Sequence, residues 1–203
     1  MSNITKKALR KHVLTRLANL TPESVSRQSS LVFRSLRESP EFQQANSIGL
    51  YMNMPTMEIH TQDIIKLCFD LNKKVFLPKC VDTKMEGRRL RHLRFLSLPT
   101  MESVLSLKPS GKYNLREPQE GEDAMESGQL DLLIVPGVAF SLTGQRLGHG
   151  AGYYDEFLQA FNSKFGRTPY LLGLSLQEQI VDHIPMESHD WHLNKIVSAS
   201  DNK

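Results

Sequence analysis

Apolar residues along this chain fall into two alternating patterns, short unbroken runs and longer stretches with helical spacing. Leu9, Val13, Leu17 and Leu20 recur three or four residues apart, the spacing of one helix face. Thr21-Pro22-Glu23 then supplies a cap, a first-turn proline and a first-turn acid for a second helix, with Val25, Ser29, Val32 and Leu36 on one face. Ile48 to Met52 reads as the first core strand. The loop after it runs to Thr61, a good N-cap for a helix from Gln62 to Leu71 whose apolar face is Ile64, Ile65, Leu67 and Cys68. Val75 to Leu77 predicts a second short strand, ended by Pro78. In Met85 to Leu96, MEGRRLRHLRFL, basic and apolar residues alternate over the second half, the pattern of a half-exposed edge strand guarded by charge. Gln119 to Gln129 is polar and predicts a solvated loop. Leu132 to Val135, between Asp131 and Pro136-Gly137, is too short for a helix and reads as a strand buried on both faces. Beyond a turn signal at Thr143-Gly144, Tyr153 to Phe161 has helical spacing, with Tyr154, Phe157, Leu158 and Phe161 on one side. Tyr170 to Ser175 predicts another strand, Gln177 to Val181 a short helix and Asn194 to Ala199 a last strand. Such alternation argues one α/β domain with a largely parallel sheet covered on both faces.

Composition narrows the class. A chain of 203 residues can bury about 70% of its unfolded surface in one core. Hydrophobic residues at 39% and charged residues at 23% are ordinary for a globular protein. No apolar run approaches the ~20 residues of a membrane span. The net charge of +3 suits an anionic small molecule without demanding nucleic acid. Much of the basic charge is concentrated early: eight Lys and Arg up to Arg37 face the single acid Glu23. Basic, Ser-rich and acid-poor also describes a transit peptide, but these helices look built to pack. Cys68 and Cys80 lack CxxC spacing and read as reduced structural thiols of a cytosolic protein.

The candidate chemistry lies at Gly148, Gly150 and Gly152, between the Leu132 strand and the Tyr153 helix. Glycines let the backbone approach an anion with several N–H groups, and a helix N-terminus adds its free amides and dipole. Arg146 offers a planar fork for phosphate oxygens, and Asp155 a carboxylate for a bridging magnesium ion. The competing reading is a turn needed only for strand–helix packing. The spacing is GxGxG, neither the dinucleotide GxGxxG nor a P-loop. Lys6 and Arg10, four apart on one helix face, repel each other unless an anion lies between them. His183, His189 and His192 near Asp190 lack the spacing of a zinc site, and Ser188-His189-Asp190 cannot form a hydrolase triad because adjacent residues cannot make that relay.

PGVAFSLTGQRLGHGAGYYD, Pro136 to Asp155, resembles the signature PGxxFxxxGxRLGxGxGYYD of the 5-formyltetrahydrofolate cyclo-ligase (methenyltetrahydrofolate synthetase) family. Lys6-Lys7-Ala8-Leu9-Arg10 resembles that family's N-terminal Lys-x-x-Leu-Arg pattern, and Lys112 to Pro118 its aromatic-Gly-Ile-x-Glu-Pro element. The resemblance implies a single three-layer αβα domain over residues 1–203, with a mostly parallel sheet similar to sugar-phosphate isomerases and coenzyme A transferases. A basic hairpin, residues 1–39, would pack on it. It implies ATP- and Mg2+-dependent closure of 5-formyltetrahydrofolate to 5,10-methenyltetrahydrofolate, with ADP and phosphate released through phosphorylation of the formyl oxygen. In that reading Arg146 and Lys6 are catalytic. ATP lies against Lys6, Lys7, Ala8, Leu9 and Arg10, and against Arg146, Leu147, Gly148, His149, Gly150, Ala151, Gly152, Tyr153 and Tyr154. Folate, with or without a polyglutamate tail, meets Met52, Glu58, Tyr113, Glu117 and Tyr153. Asp155 and Asp190 hold the metal.

The sequence departs from the family pattern at Met57 and Asn114, where relatives carry Gly, and at Asn194, where they usually carry Asp. His149 occupies a variable position and is assigned contact rather than catalysis. A cytoplasmic monomer with room for a mitochondrial fraction is expected, without nucleic acid or membrane partners. Two rivals remain at this level, a phosphotransferase using the same glycine loop and an RNA-binding module built on the basic hairpin.

Overall fold

The computed structural model describes residues 4–54, 56–110 and 115–199. Two capped helices come first. In α1 (Lys6–Leu17) the Thr5 hydroxyl accepts the Ala8 amide at 3.2 Å, and in α2 (Pro22–Glu38) Thr21 accepts that of Ser24 at 3.2 Å. The chain continues through α3 (Pro40–Gln44), β1 (Ser47–Gly49), α4 (Gln62–Asp70), β2 (Lys74–Asp82), β3 (Arg91–Leu98) and α5 (Met101–Leu105). Next come β4 (Pro109–Ser110), β5 (Leu115–Arg116), α6 (Ala124–Ser127), β6 (Leu132–Val135), β7 (Ala139–Phe140) and β8 (Arg146–Leu147). It closes with α7 (Tyr153–Phe165), β9 (Tyr170–Ser175), a 3-10 turn at Gln177–Gln179 and β10 (Lys195–Ser198).

Six strands form one sheet in the order β10-β9-β6-β1-β2-β3, and only β2–β3 is antiparallel. The expected mostly parallel α/β sheet is therefore present. Its two faces sort the apolar residues by the two-residue period of a strand. Ile48, Val75, Leu132, Ile134 and Leu172 pack with Leu9, Val13, Val32, Ile64 and Ile65 from α1, α2 and α4. Phe76, Leu133, Val135 and Leu171 pack with Met125, Phe157 and Phe161 from α6 and α7. Each such buried side chain contributes about 1.5–3 kcal/mol. The basic N-terminal segment is thus part of the core.

Several local expectations are corrected. The first strand ends at Gly49 rather than Met52. Leu50 still donates to Phe76 O at 2.9 Å, but the Tyr51 carbonyl is taken by the Thr61 hydroxyl at 2.7 Å. The hydroxyl, turned toward that carbonyl, also accepts the Asn53 amide at 3.3 Å, and Thr61 makes no side-chain cap to α4. Pro78 does not end β2, because alternate residues of a strand direct their backbone groups to opposite sides. Phe76 O points toward β1, so Pro78 points the same way, beyond the end of β1, and its missing N–H breaks no ladder bond.

The arginines around the edge strand are not all solvated. Arg88 has a side chain only 4% exposed, paired with Glu156 at 2.7 Å, and Arg94 pairs with Asp123 at 2.7 Å. Asp123 is buried and caps α6 through the Met125 amide at 2.9 Å, so residues 119–129 are not simply a solvated loop. The helix expected over Gln177 to Val181 is only the 3-10 turn. Of the two thiols, Cys68 is buried, with its pKa pushed up to about 12 by that burial, while Cys80 lies exposed within β2.

The turn at Gly144 ties β7–β8 to the C-terminal segment. Gly144 has φ +87°, its carbonyl accepts the Leu193 amide at 2.8 Å, and an added Cβ would lie 2.3 Å from Leu193 O. Gly144→Ala is expected to destabilise the fold by about 3 kcal/mol, read as a lowered urea midpoint.

Candidate active site

The β7–β8 ribbon delivers Arg146 to the C-terminal end of β6. The guanidinium is 7% exposed, and it donates to Pro136 O at 3.3 Å and to Asp155 Oδ2 at 2.8 Å. It also lies 5.7 Å from the centre of the Tyr154 ring. Asp155 Oδ1 accepts the Trp191 amide at 3.3 Å, which brings Asp190 alongside. Asp190 Oδ2 takes Lys6 Nζ at 2.6 Å and the Glu187 amide at 2.7 Å, and Lys6 also meets Glu187 Oε1 at 3.1 Å. Burial works against the Lys6 ammonium, but these carboxylate bonds outweigh it and hold its pKa above the ordinary value. Asp190 is shifted the other way, since Lys6 and the Glu187 amide overcome the effect of burial.

The glycine loop sits among these charges. Gly150 (φ +103°) and Gly152 (φ +67°) occupy conformations that favour glycine, while a Cβ on Gly148 would lie 2.9 Å from Arg146 Nη1. From α1, Arg10 Nε donates to Gly148 O at 2.7 Å. From the segment before β3, Arg89 Nη2 donates to the carbonyls of Ala151 at 3.2 Å and Gly152 at 2.9 Å. Among the described residues, no acceptor is found for the amide N–H groups of residues 148–152. The His149 ring is exposed at the loop tip. Partial loss of water around the ring, followed by the charges of Arg10 and Arg146, holds its pKa below the usual value.

Other expected residues divide into two groups. Glu58 is 7% exposed and accepts the Met54 amide at 2.8 Å. Burial raises its pKa to about 7. Its carboxylate adds to the burial that raises the pKa of both Tyr51 and Tyr154, and Arg146 lies against the Tyr154 ring. Met52 is half-buried against the core. Glu117 and Tyr153 meet instead around Cys80: Glu117 Oε1 accepts the Cys80 amide at 3.2 Å, and a hydrogen bond with Cys80 is the first cause of a raised Tyr153 pKa. Beside them is an open cleft of about 250 Å3 lined by Arg89, Arg91, Ala151 and Tyr153. Tyr113 and Asn114 lie outside the described residues.

Not every expected contact reaches the site through its side chain. Leu9 and Leu147 are core, and Lys7 and Ala8 are exposed. Met57 has φ +68°, the backbone region that a glycine favours. Asn194 accepts the Leu171 amide at 2.7 Å and so serves as a backbone anchor for β9. Sequence reasoning missed Tyr51, Trp191 and the pair Arg88–Arg89. Glu156, directly after the glycine signature, was the available signal for a buried cationic partner.

The family model described as the 5-formyltetrahydrofolate cyclo-ligase family matches residues 2–199. The chain belongs to that family. It is similar to 5-formyltetrahydrofolate cyclo-ligase of Saccharomyces cerevisiae, at 36% identity over 95% of this chain and 94% of the relative. The Mus musculus protein of the same name is 31% identical over 96% and 94%. Among solved structures, 5,10-methenyltetrahydrofolate synthetase of Aquifex aeolicus superposes with a TM-score of 0.75 at 27% identity, covering 98% of this chain and 91% of that one. As a cyclo-ligase family member the chain is an enzyme, a ligase of folate one-carbon chemistry.

A buried acid with a raised pKa favours folding in its protonated form. The Glu58 contribution is therefore full below the ordinary carboxyl pKa near 4.5 and is lost as pH rises through about 7. It amounts to about 3 kcal/mol. Glu58→Gln should flatten that part of the stability–pH profile, as seen by thermal melts between pH 5 and pH 8.

Proposed function

We propose that this enzyme closes 5-formyltetrahydrofolate to 5,10-methenyltetrahydrofolate at the expense of ATP, with ADP and phosphate released. The observation that carries this reading is the convergence of Arg10, Arg89 and Arg146 on one glycine loop, with Lys6 on the neighbouring Asp190; among the described residues the amides of residues 148–152 have no protein acceptor. A formyl amide oxygen is a poor leaving group, so N10 cannot expel it directly. Attack of that oxygen on the γ-phosphorus forms a P–O bond and breaks the bond to ADP. N10 then attacks the activated formyl carbon, the C–O bond breaks, and phosphate leaves carrying the N10 proton. Both transfers need alignment and charge neutralisation more than covalent help.

In this reading the loop amides and Arg146 hold the transferring group, and Lys6 and Arg10 hold the phosphates from α1. Glu58, with a pKa of about 7, is divided between its ionised and protonated forms near neutral pH and can accept from or donate to a pterin edge, with Met52, Glu117, Tyr153 and Tyr113 completing the folate contacts. The chain 1–203 works as one domain, because the wall that meets the nucleotide is also a core helix. Magnesium fits the residues present. Asp155 and Asp190 are hard oxygen donors whose Oδ1 atoms are held only lightly, by the Trp191 amide at 3.3 Å and His189 Nε2 at 3.8 Å, and magnesium ordinarily needs only one or two carboxylates besides phosphate and water. When bound there, it would neutralise developing phosphate charge. Among the described residues no helix is long and apolar enough to cross a membrane. We infer a cytoplasmic enzyme with room for a mitochondrial pool; the Arabidopsis thaliana relative is named as mitochondrial.

Purified protein with ATP, magnesium and 5-formyltetrahydrofolate should generate methenyltetrahydrofolate absorbance in the near ultraviolet. ATP hydrolysis by folded protein without that absorbance would favour a phosphotransferase instead. Arg146→Ala should lower kcat by roughly a hundred- to a thousand-fold. Asp155→Asn should raise the magnesium concentration needed for half-maximal rate, and an unchanged magnesium dependence would remove Asp155 from the metal site.

A further inference from the structure

Arg89 has no part in the chemistry derived above beyond its charge, yet its position is unusually determined. It follows Arg88, whose buried guanidinium is bound to both oxygens of Glu156 at 2.7 and 2.9 Å and to Leu93 O at 2.8 Å. The Arg89 amide also reaches Glu156, at 3.4 Å. Glu156 lies in the first turn of α7, so the segment before β3 is pinned to the start of that helix. From this anchor the exposed Arg89 side chain reaches the carbonyls of Ala151 and Gly152.

A trans peptide plane carries C=O of one residue and N–H of the next in opposite directions. Holding the Ala151 and Gly152 carbonyls therefore directs the amides of Gly152 and Tyr153 away from Arg89. The Gly152 carbonyl also accepts the Glu156 amide at 3.0 Å, which fixes the Tyr153 N–H outward from the N-terminus of α7. Gly152 has φ +67° and supplies no side-chain cap. Without Arg89, that carbonyl keeps only its helical bond and the Ala151 carbonyl has no partner among the described residues. Arg10 makes the same kind of bond to Gly148 O at the other end of the loop, directing the His149 amide.

We infer that Arg89 is a positioning residue for the nucleotide phosphates, acting through the backbone by orienting the Gly152 and Tyr153 amides. This rests on the ATP reading of the glycine loop. The bland alternative is a surface arginine that bonds carbonyls without consequence. The functional alternative is direct contact between Arg89 and the anionic tail of the folate, through the cleft it shares with Arg91 and Tyr153.

Titration calorimetry of the full chain with ATP and magnesium, paired with steady-state kinetics, separates these. Arg89 is exposed, so Arg89→Ala should keep the wild-type melting temperature. ATP affinity should fall roughly tenfold, the effect of a lost charge-assisted bond, with the KM for 5-formyltetrahydrofolate within about twofold of wild type. Arg89→Lys, which keeps the charge and one donor, should recover part of the loss. Unchanged ATP affinity in Arg89→Ala would overturn the inference, and so would a loss confined to the folate KM or one explained by a lowered melting temperature. Wild-type protein that binds no ATP would overturn the nucleotide reading itself, a different result from wild type and variant binding equally well.

Discussion

A full positive charge at Arg146, almost sealed from water, must be neutralised, and the way this is done organises the functional end of the molecule. Its partner Asp155 lies across the glycine loop, so β8 and α7 are locked at a fixed separation. Removing either member would strand a buried charge, at a cost of about 3–5 kcal/mol. The second oxygen of Asp155 holds the Trp191 amide, and the adjacent Asp190 holds Lys6. One ion pair thus draws together the β7–β8 ribbon, α7, the segment before β10 and the first helix. The glycine at position 148 follows from the same constraint, since the guanidinium fills the space that a side chain would need.

The first helix shows how fold and chemistry share one element. Leu9, Val13 and Leu17 bury its inner face, and Arg16 bonds the carbonyls of Glu178 and Ile180 near its C-terminal end. A helix of 12 residues gains little from propensity alone and owes its stability to that packing. Lys6 and Arg10 are consequently held where they are by the core, which would reduce the entropy lost on meeting an anion of the kind proposed.

What could be read in the sequence was local. The glycine signature, the buried Leu132 run and the aromatic face of α7 each declare themselves within about twenty residues, and the α/β sheet follows from their alternation. What could not be read was partnership over distance. Arg88 and Arg89 look like guards of an exposed edge until α7 is laid against β3, bringing Glu156 and the loop carbonyls within reach. The charge of Glu58 is felt at Tyr154 although nearly a hundred residues separate them. Thr61 has the composition of a cap, but the hydroxyl is drawn to the Tyr51 carbonyl because the strand before it ends early. Met57 gives no local sign that its backbone is left-handed; only the fold reveals why a glycine suits that place.

The proline within β2 has an effect on how the molecule meets its neighbours. Past Phe76 the sheet opens, because β1 stops while β2 runs on to Asp82. An open flank of this kind invites a strand from another chain to zip on through unused backbone donors. Along this one, Pro78 has no hydrogen to offer and that of Cys80 is already given to Glu117. An intruding strand would find no free donor at Pro78 or Cys80, so this stretch of the flank lacks two of the hydrogens that zipping would use.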